Sequence, residues 1–136
     1  MIPYGDVNYL AVVVATILNI VVGMVWYSPA IFGTAWMKCT GMTEEKAKKG
    51  MPMGMVIGIA GSLIGAFGTA ILHMVLGPAS IAAAVELVIV LTLAIIVPIQ
   101  LGRVAWEQAP MELFCINTGY YAVSVLIIVM TLQVWP

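Results

Sequence analysis

Long apolar runs separated by short polar breaks define the class of structure before any motif is considered. The runs occupy roughly 7–27, 52–76, 80–102 and 111–134. Each reaches the ~20 residues that a helix needs to cross the hydrocarbon core of a bilayer. Backbone in lipid must satisfy its own hydrogen bonds, so runs of this length predict helices. The expected fold is all-α, an integral membrane bundle of four transmembrane helices forming a single domain over 1–136. A short interfacial helical segment is expected between the first and second spans.

The breaks carry stop and start signals. Trp26-Tyr27-Ser28-Pro29 should end the first span, because the residue before a proline is pushed out of helical conformation. Residues 30–37 are apolar but too short to span, which suits a segment in the interface or folded back on the bundle. Gly41 breaks that segment. Thr43 is placed to cap a short helix with Glu44 and Glu45 in its first turn and Lys48 and Lys49 in its last, the order that suits the helix dipole. Gly50 is expected to close it and Pro52 to open the second span. Pro98 removes a backbone hydrogen bond and predicts a kink in the third span. Pro110 and Glu112 open the fourth, and Trp135 closes it at the interface. The first run reads as a retained helix rather than a cleavable leader, since Asp6 and no basic residue precedes it.

The most regular pattern lies in the second span. Gly54, Gly58, Gly61, Gly65 and Gly68 are spaced four, three, four and three residues apart, so they line one narrow seam. Small residues on a seam let helices approach closely in lipid. Each glycine costs a helix about 1 kcal/mol relative to alanine, so a tight helix–helix contact is expected there. The partner helix, from this chain or from a second copy, stays open at this level.

Composition narrows the picture further. Of 136 residues, 63% are hydrophobic and 8% charged, against about a quarter charged in a soluble domain. The net charge of −1 offers no basic face for nucleic acid. Lys38, Lys46, Lys48 and Lys49 fall in the first connection and Arg103 at the third, which share one side of a four-span protein. All five basic residues therefore predict both termini outside, in an inner or plasma membrane. Cys39 and Cys115 then face a reducing compartment and are expected as free thiols.

Ionisable side chains inside a membrane are costly and count as functional candidates. His73 and Glu86 flank the tight turn between the second and third spans at similar depth and could meet across it. Such a pair could relay protons or hold a cation; the plainer alternative leaves His73 at the interface and Glu86 in one structural hydrogen bond. A second polar set comprises Asn19, Gln100, and Asn117, Tyr121 and Ser124 on one face of the fourth span. It is either interhelical hydrogen-bonding glue or the lining of a polar pocket. Met51, Met53 and Met55 raise the question of a soft-metal site, but on a helix Met53 points away from the other two, so no metal is expected. No phosphate loop, paired-histidine motif or nucleophile beside a second histidine is present, so neither catalysis nor a cofactor is expected.

The aromatic break also carries a resemblance. Trp26-Tyr27-Ser28-Pro29, then Phe32-Gly33, Trp36-Met37 and Gly41-Met42-Thr43, resembles the opening of bacterial and archaeal proteins grouped as domain-of-unknown-function family 1761. Ile116-Asn117-x-Gly119-Tyr120 is similar to that family's last helix. The resemblance implies a small integral membrane protein and supplies no activity. The rings of Trp26, Tyr27, Phe32 and Trp36 are expected at headgroup level as anchors, with a lipid- or quinone-binding role for the Trp26–Trp36 element as the weakest reading. The leading functional expectation is a homo-oligomeric transporter or small-ligand- or ion-binding protein. The alternative is an accessory subunit docking through the glycine seam, so the expected partners are the lipid bilayer and either a second copy or another membrane subunit.

Overall fold

A computed structural model describes residues 4–135, which are helical along most of their length. After one 3-10 turn at Tyr4–Asp6 come α1 (Tyr9–Trp26), α2 (Gly33–Thr40), α3 (Glu44–Leu76) and α4 (Ile81–Leu91). A π-helical turn (Thr92–Ile96) then leads into α5 (Val97–Trp106), and α6 (Met111–Val134) closes the chain. Among the described residues four stretches are long and apolar enough to cross a membrane: α1, α3, the continuous run Ile81–Trp106 and α6. The protein is a membrane helical bundle of the all-α class that the apolar runs predict.

Local chemistry sets the helix ends. Asn8, Thr43 and Ser80 cap α1, α3 and α4 by accepting from the backbone N–H of Ala11 (2.9 Å), Lys46 (3.3 Å) and Ala83 (3.2 Å). Gly41 and Gly77 end α2 and α3 in the left-handed region, at φ 66° and 54°, where a side chain would be strained.

Two elements depart from expectation. The short helix expected to stop at Gly50 instead runs on, so that α3 is one helix of 33 residues with Pro52 inside it. Pro52 deprives the Lys48 carbonyl of its donor, but this turn is exposed to solvent, which can take the donor's place. At ~50 Å, α3 exceeds the ~30 Å hydrocarbon core, so its charged first turns stand clear of lipid. In the third span, Pro98 is accommodated by the π turn, in which the Val97 N–H reaches back five residues to the Thr92 carbonyl.

Helix α6 is the hub. It packs against α1, α3, α4 and α5, while α1 sits between α3 and α6. The α4–α5 run packs chiefly on α6 among the long helices. Ala11, Ala15 and Ala66 are fully buried with Val12, Ala70, Ile128 and Leu132, small side chains that bring three backbones together. Ala84 and Val88 of α4 close on Val129.

The glycine seam is not part of this packing. Gly54, Gly58, Gly61, Gly65 and Gly68 are all exposed, and a Cβ on any of them would meet nothing within 4 Å. The intramolecular face of α3 is instead the line of Ser62, Ala66 and Ala70, more than a quarter-turn around the helix from the glycines.

Candidate functional site

The end of the bundle that carries the basic residues is built around the Trp-Tyr-Ser-Pro break. Its rings turn inward onto α6 rather than serving only as lipid anchors. The Trp26 indole Nε1 donates to the Ile116 carbonyl at 3.1 Å. Its ring lies over Gly119, where a Cβ would come 2.9 Å from Trp26 Cζ2. Phe32 backs Trp26 with ring centroids 4.7 Å apart. The Tyr27 hydroxyl donates to Asn117 Oδ1 at 3.0 Å. Its ring meets Trp36 edge-on at 5.8 Å and Tyr120 at 5.1 Å, and Tyr120 in turn meets Tyr121 at 5.2 Å. Contacts of this geometry are worth ~0.5–1.5 kcal/mol each beyond area burial.

A tight turn makes that arrangement possible. The Gly33 N–H donates to the Ser28 carbonyl at 2.8 Å, the Phe32 N–H to the Trp26 carbonyl at 3.1 Å, and Ser28 Oγ to the Val25 carbonyl at 2.7 Å. Pro29 sits inside the turn, where no N–H is needed from it. Gly33 is buried against the Tyr27 carbonyl and the Ser28 backbone, leaving no room for a side chain.

Between this clasp and the start of α3 lies a cleft of about 490 Å³. Tyr27 and Trp36 wall one side, Asn117, Tyr120 and Tyr121 of α6 another, and Ala47 of α3 contributes to the lining. No charged side chain lines it among the described residues. Asn117 and Tyr121 lie six and ten residues into α6, so the cleft reaches about 15 Å from that helix end. Its volume is within the ~300–1,000 Å³ common for small-molecule sites.

Only part of the polar set expected from the sequence meets here. Asn117 and Tyr121 line the cleft. Asn19 lies deeper, 6% exposed, donating from Nδ2 to Ser62 Oγ at 2.7 Å while its Oδ1 has no partner. Ser124 is equally buried with an unpartnered Oγ. Trp26 against Ile116, Gly23 against Tyr120 and Asn8 against Trp135 define an antiparallel register that puts Asn19 and Ser124 at one level. Gln100 is buried on α5, outside the cleft.

His73 and Glu86 are not brought together. His73 Nε2 hydrogen-bonds Gln133 Oε1 at 2.9 Å, and Gln133 Nε2 donates to the Pro78 carbonyl at 3.4 Å. These groups border a second cleft, of about 430 Å³, at the opposite end beside Asp6. Glu86 is exposed on the side of α4 away from Ala84 and Val88, with no hydrogen bond or ion pair within the chain among the described residues. The reason is the hub: α3 and α4 both pack on α6 instead of on each other. Met51, Met53 and Met55 stand exposed on α3.

Sequence reasoning missed Tyr120, Gly23 and Gly119, which complete the clasp. A Cβ on Gly23 would lie 3.1 Å from the Tyr120 hydroxyl. The Ile116-Asn117-x-Gly119-Tyr120 stretch was the available signal, but nothing in it says which ring its glycine receives. Cys39 on α2 is a free thiol. Burial, then the neighbouring Glu112 carboxylate, pushes its pKa up.

A model of the family described as "Protein of unknown function (DUF1761)" matches residues 10–133, most of the chain. No curated protein and no solved structure matches it.

Proposed function

The chain belongs to the DUF1761 family, whose description assigns no activity, and from its geometry we propose that it is a homo-oligomeric membrane protein that binds and transports a small amphiphile. The binding site is the cleft walled by Tyr27, Trp36, Asn117, Tyr120 and Tyr121. The observation that carries this reading is the cleft itself, an aromatic and uncharged hollow in the membrane-edge part of the bundle. The distribution of the basic residues supports a cytoplasmic position for it, with both termini on the other side.

Assembly is supported by the glycine seam. Five glycines facing open space are an expensive way to present a helix to lipid and a sound way to receive another helix. Glu86 adds to this, because a carboxyl on the outer face of a span is costly unless a group outside the chain meets it. The seam also favours a second reading, an accessory subunit that docks into a larger membrane complex and has no ligand of its own.

Native mass spectrometry of the protein extracted gently from its own membrane tests the two readings. A homo-oligomer carrying a bound small molecule supports the first, and recovery with unrelated subunits at fixed stoichiometry supports the second. Gly61→Leu should convert the homo-oligomer to monomer while leaving the fold intact. A lone wild-type monomer without ligand would overturn both readings.

A further inference from the structure

We infer that the ligand of the aromatic cleft is an uncharged flat ring with carbonyl oxygens at its edge and an apolar tail, the chemistry of a membrane quinone. This rests on the reading above and names its ligand class. Three features of the lining select it: neutrality, aromatic walls and uncommitted hydrogen-bond donors.

Neutrality comes first. The lining holds no Lys, Arg, Asp or Glu, so a charged ligand would lose its hydration with nothing there to neutralise it. Aromatic walls also attract organic cations. Here, however, Arg103 lies within electrostatic reach of Tyr27, and no carboxylate lines the cleft to offset it. An anionic lipid headgroup fares no better, because no basic side chain lines the cleft to hold it.

The walls are aromatic. Tyr27, Trp36, Tyr120 and Tyr121 form a chain of edge-on and tilted ring contacts at 5.1–5.8 Å, and a planar ring entering the cleft extends that chain by ring contacts of the same kind. Tyr121, 44% exposed, leaves the lipid side accessible for a tail.

The donors decide between a plain hydrocarbon and a carbonyl-bearing ring. Asn117 Oδ1 already accepts from the Tyr27 hydroxyl, which leaves the Asn117 amide N–H groups as its uncommitted side. Trp36 Nε1 and the Tyr121 hydroxyl likewise have no partner within the chain among the described residues. Covering these donors with hydrocarbon would strand them at ~1–3 kcal/mol each, whereas a ring carbonyl satisfies them. A quinone offers two such oxygens on a neutral plane.

Isothermal titration of the full-length protein in detergent with decylubiquinone tests the inference. Saturable binding is expected, at least tenfold weaker in Asn117→Leu, which replaces the central amide. Trp36→Phe keeps the ring and removes one donor, and should weaken binding severalfold even if Asn117→Leu fails to fold. Tetraphenylphosphonium, a globular lipophilic cation that carries aromatic rings, should not compete. Saturable binding of tetraphenylphosphonium or of a lysophospholipid to the cleft, without binding of the quinone, would overturn the quinone assignment and leave the binding role standing. If none of the three binds in a manner sensitive to the cleft variants, both the assignment and the proposed binding role fall.

Discussion

Replacing Gly33 with alanine tests whether the clasp is held by backbone geometry or by lipid anchoring of its rings. A Cβ at this position collides with the Tyr27 carbonyl oxygen and comes within 2.7 Å of the Ser28 carbonyl carbon and oxygen. All three are backbone atoms, and the turn they belong to is tied by the 2.8 Å bond from Gly33 to Ser28 and the 3.1 Å bond from Phe32 to Trp26. No side chain can swing aside, so relief requires the turn to open. Overpacking costs ~1–3 kcal/mol, and a lost backbone hydrogen bond adds ~0.5–1.5 kcal/mol. The expected destabilisation is thus about 1.5–4.5 kcal/mol from the two together. Gly102→Ala is the matched comparison, since nothing lies within 4 Å of its Cβ and α5 gains up to ~1 kcal/mol in helix propensity. Equilibrium unfolding in mixed micelles, followed by circular dichroism, measures both. If Gly33→Ala unfolds at the wild-type midpoint, or Gly102→Ala loses as much as Gly33→Ala, the clasp does not hold the fold in the way described.

The remaining predictions address other contacts. Gly119→Ala should cost less than Gly33→Ala in the same unfolding assay, about 1 kcal/mol, because its Cβ meets the edge of the Trp26 ring, which can slide, and not backbone. Asn19→Ala should cost ~0.6–2 kcal/mol for the lost bond to Ser62, and a much larger loss would mean that Asn19 holds something else at that level. Cys39 should alkylate more slowly at pH 7–8 than the same thiol in the unfolded chain, because a raised pKa leaves less thiolate at a given pH. Glu112→Gln should shift the rate profile of Cys39 to lower pH, and an unchanged profile in iodoacetamide labelling would show that Glu112 does not act on it.

The spans were legible because hydrophobic length is a requirement of the bilayer and leaves little choice of structure. Their pairing was not. The glycine spacing correctly marks one face of α3, yet nothing in a 3.5-residue period says which way that face turns. In the folded chain Ala66 and Ala70 make the close approach and the glycines look outward. His73 and Glu86 are near in sequence and depth, and a hairpin would have joined them; the central place of α6 gives His73 to Gln133 instead. Asn117 was readable as a polar residue of interest, whereas its partner Tyr27 read as an interfacial ring, because a tyrosine at a helix end looks the same whether it faces headgroups or a neighbouring helix. Gly50 failed as a stop signal because a glycine ends a helix only where the next residues gain by leaving it, and here Met51 and Pro52 continue into an apolar span.

The cleft exists because the two ends of the bundle are held by different forces. Lipid does not drive apolar side chains together as water does, so helices in it associate by close packing and hydrogen bonds. Around Ala11, Ala15 and Ala66 the side chains are small enough for α1, α3 and α6 to pack closely, and open space returns only past Ala70, in the cleft beside His73 and Gln133. Towards the basic end α3 exposes every residue from Lys48 to Gly61, while α1 and α6 stay joined by Trp26, Tyr27 and Asn117. Large rings hold by their edges, and the wedge they leave against Ala47 is the proposed site. Its α3 wall is therefore steadied by little within the chain, and the glycine face of that same helix half is open. Whatever packs on Gly54 and Gly58 sets how far α3 stands from Tyr27 and Tyr121, so in the proposed oligomer assembly and ligand binding are coupled through one helix. Gly61→Leu should then weaken decylubiquinone binding as well as separate the subunits, although Gly61 lies outside the cleft.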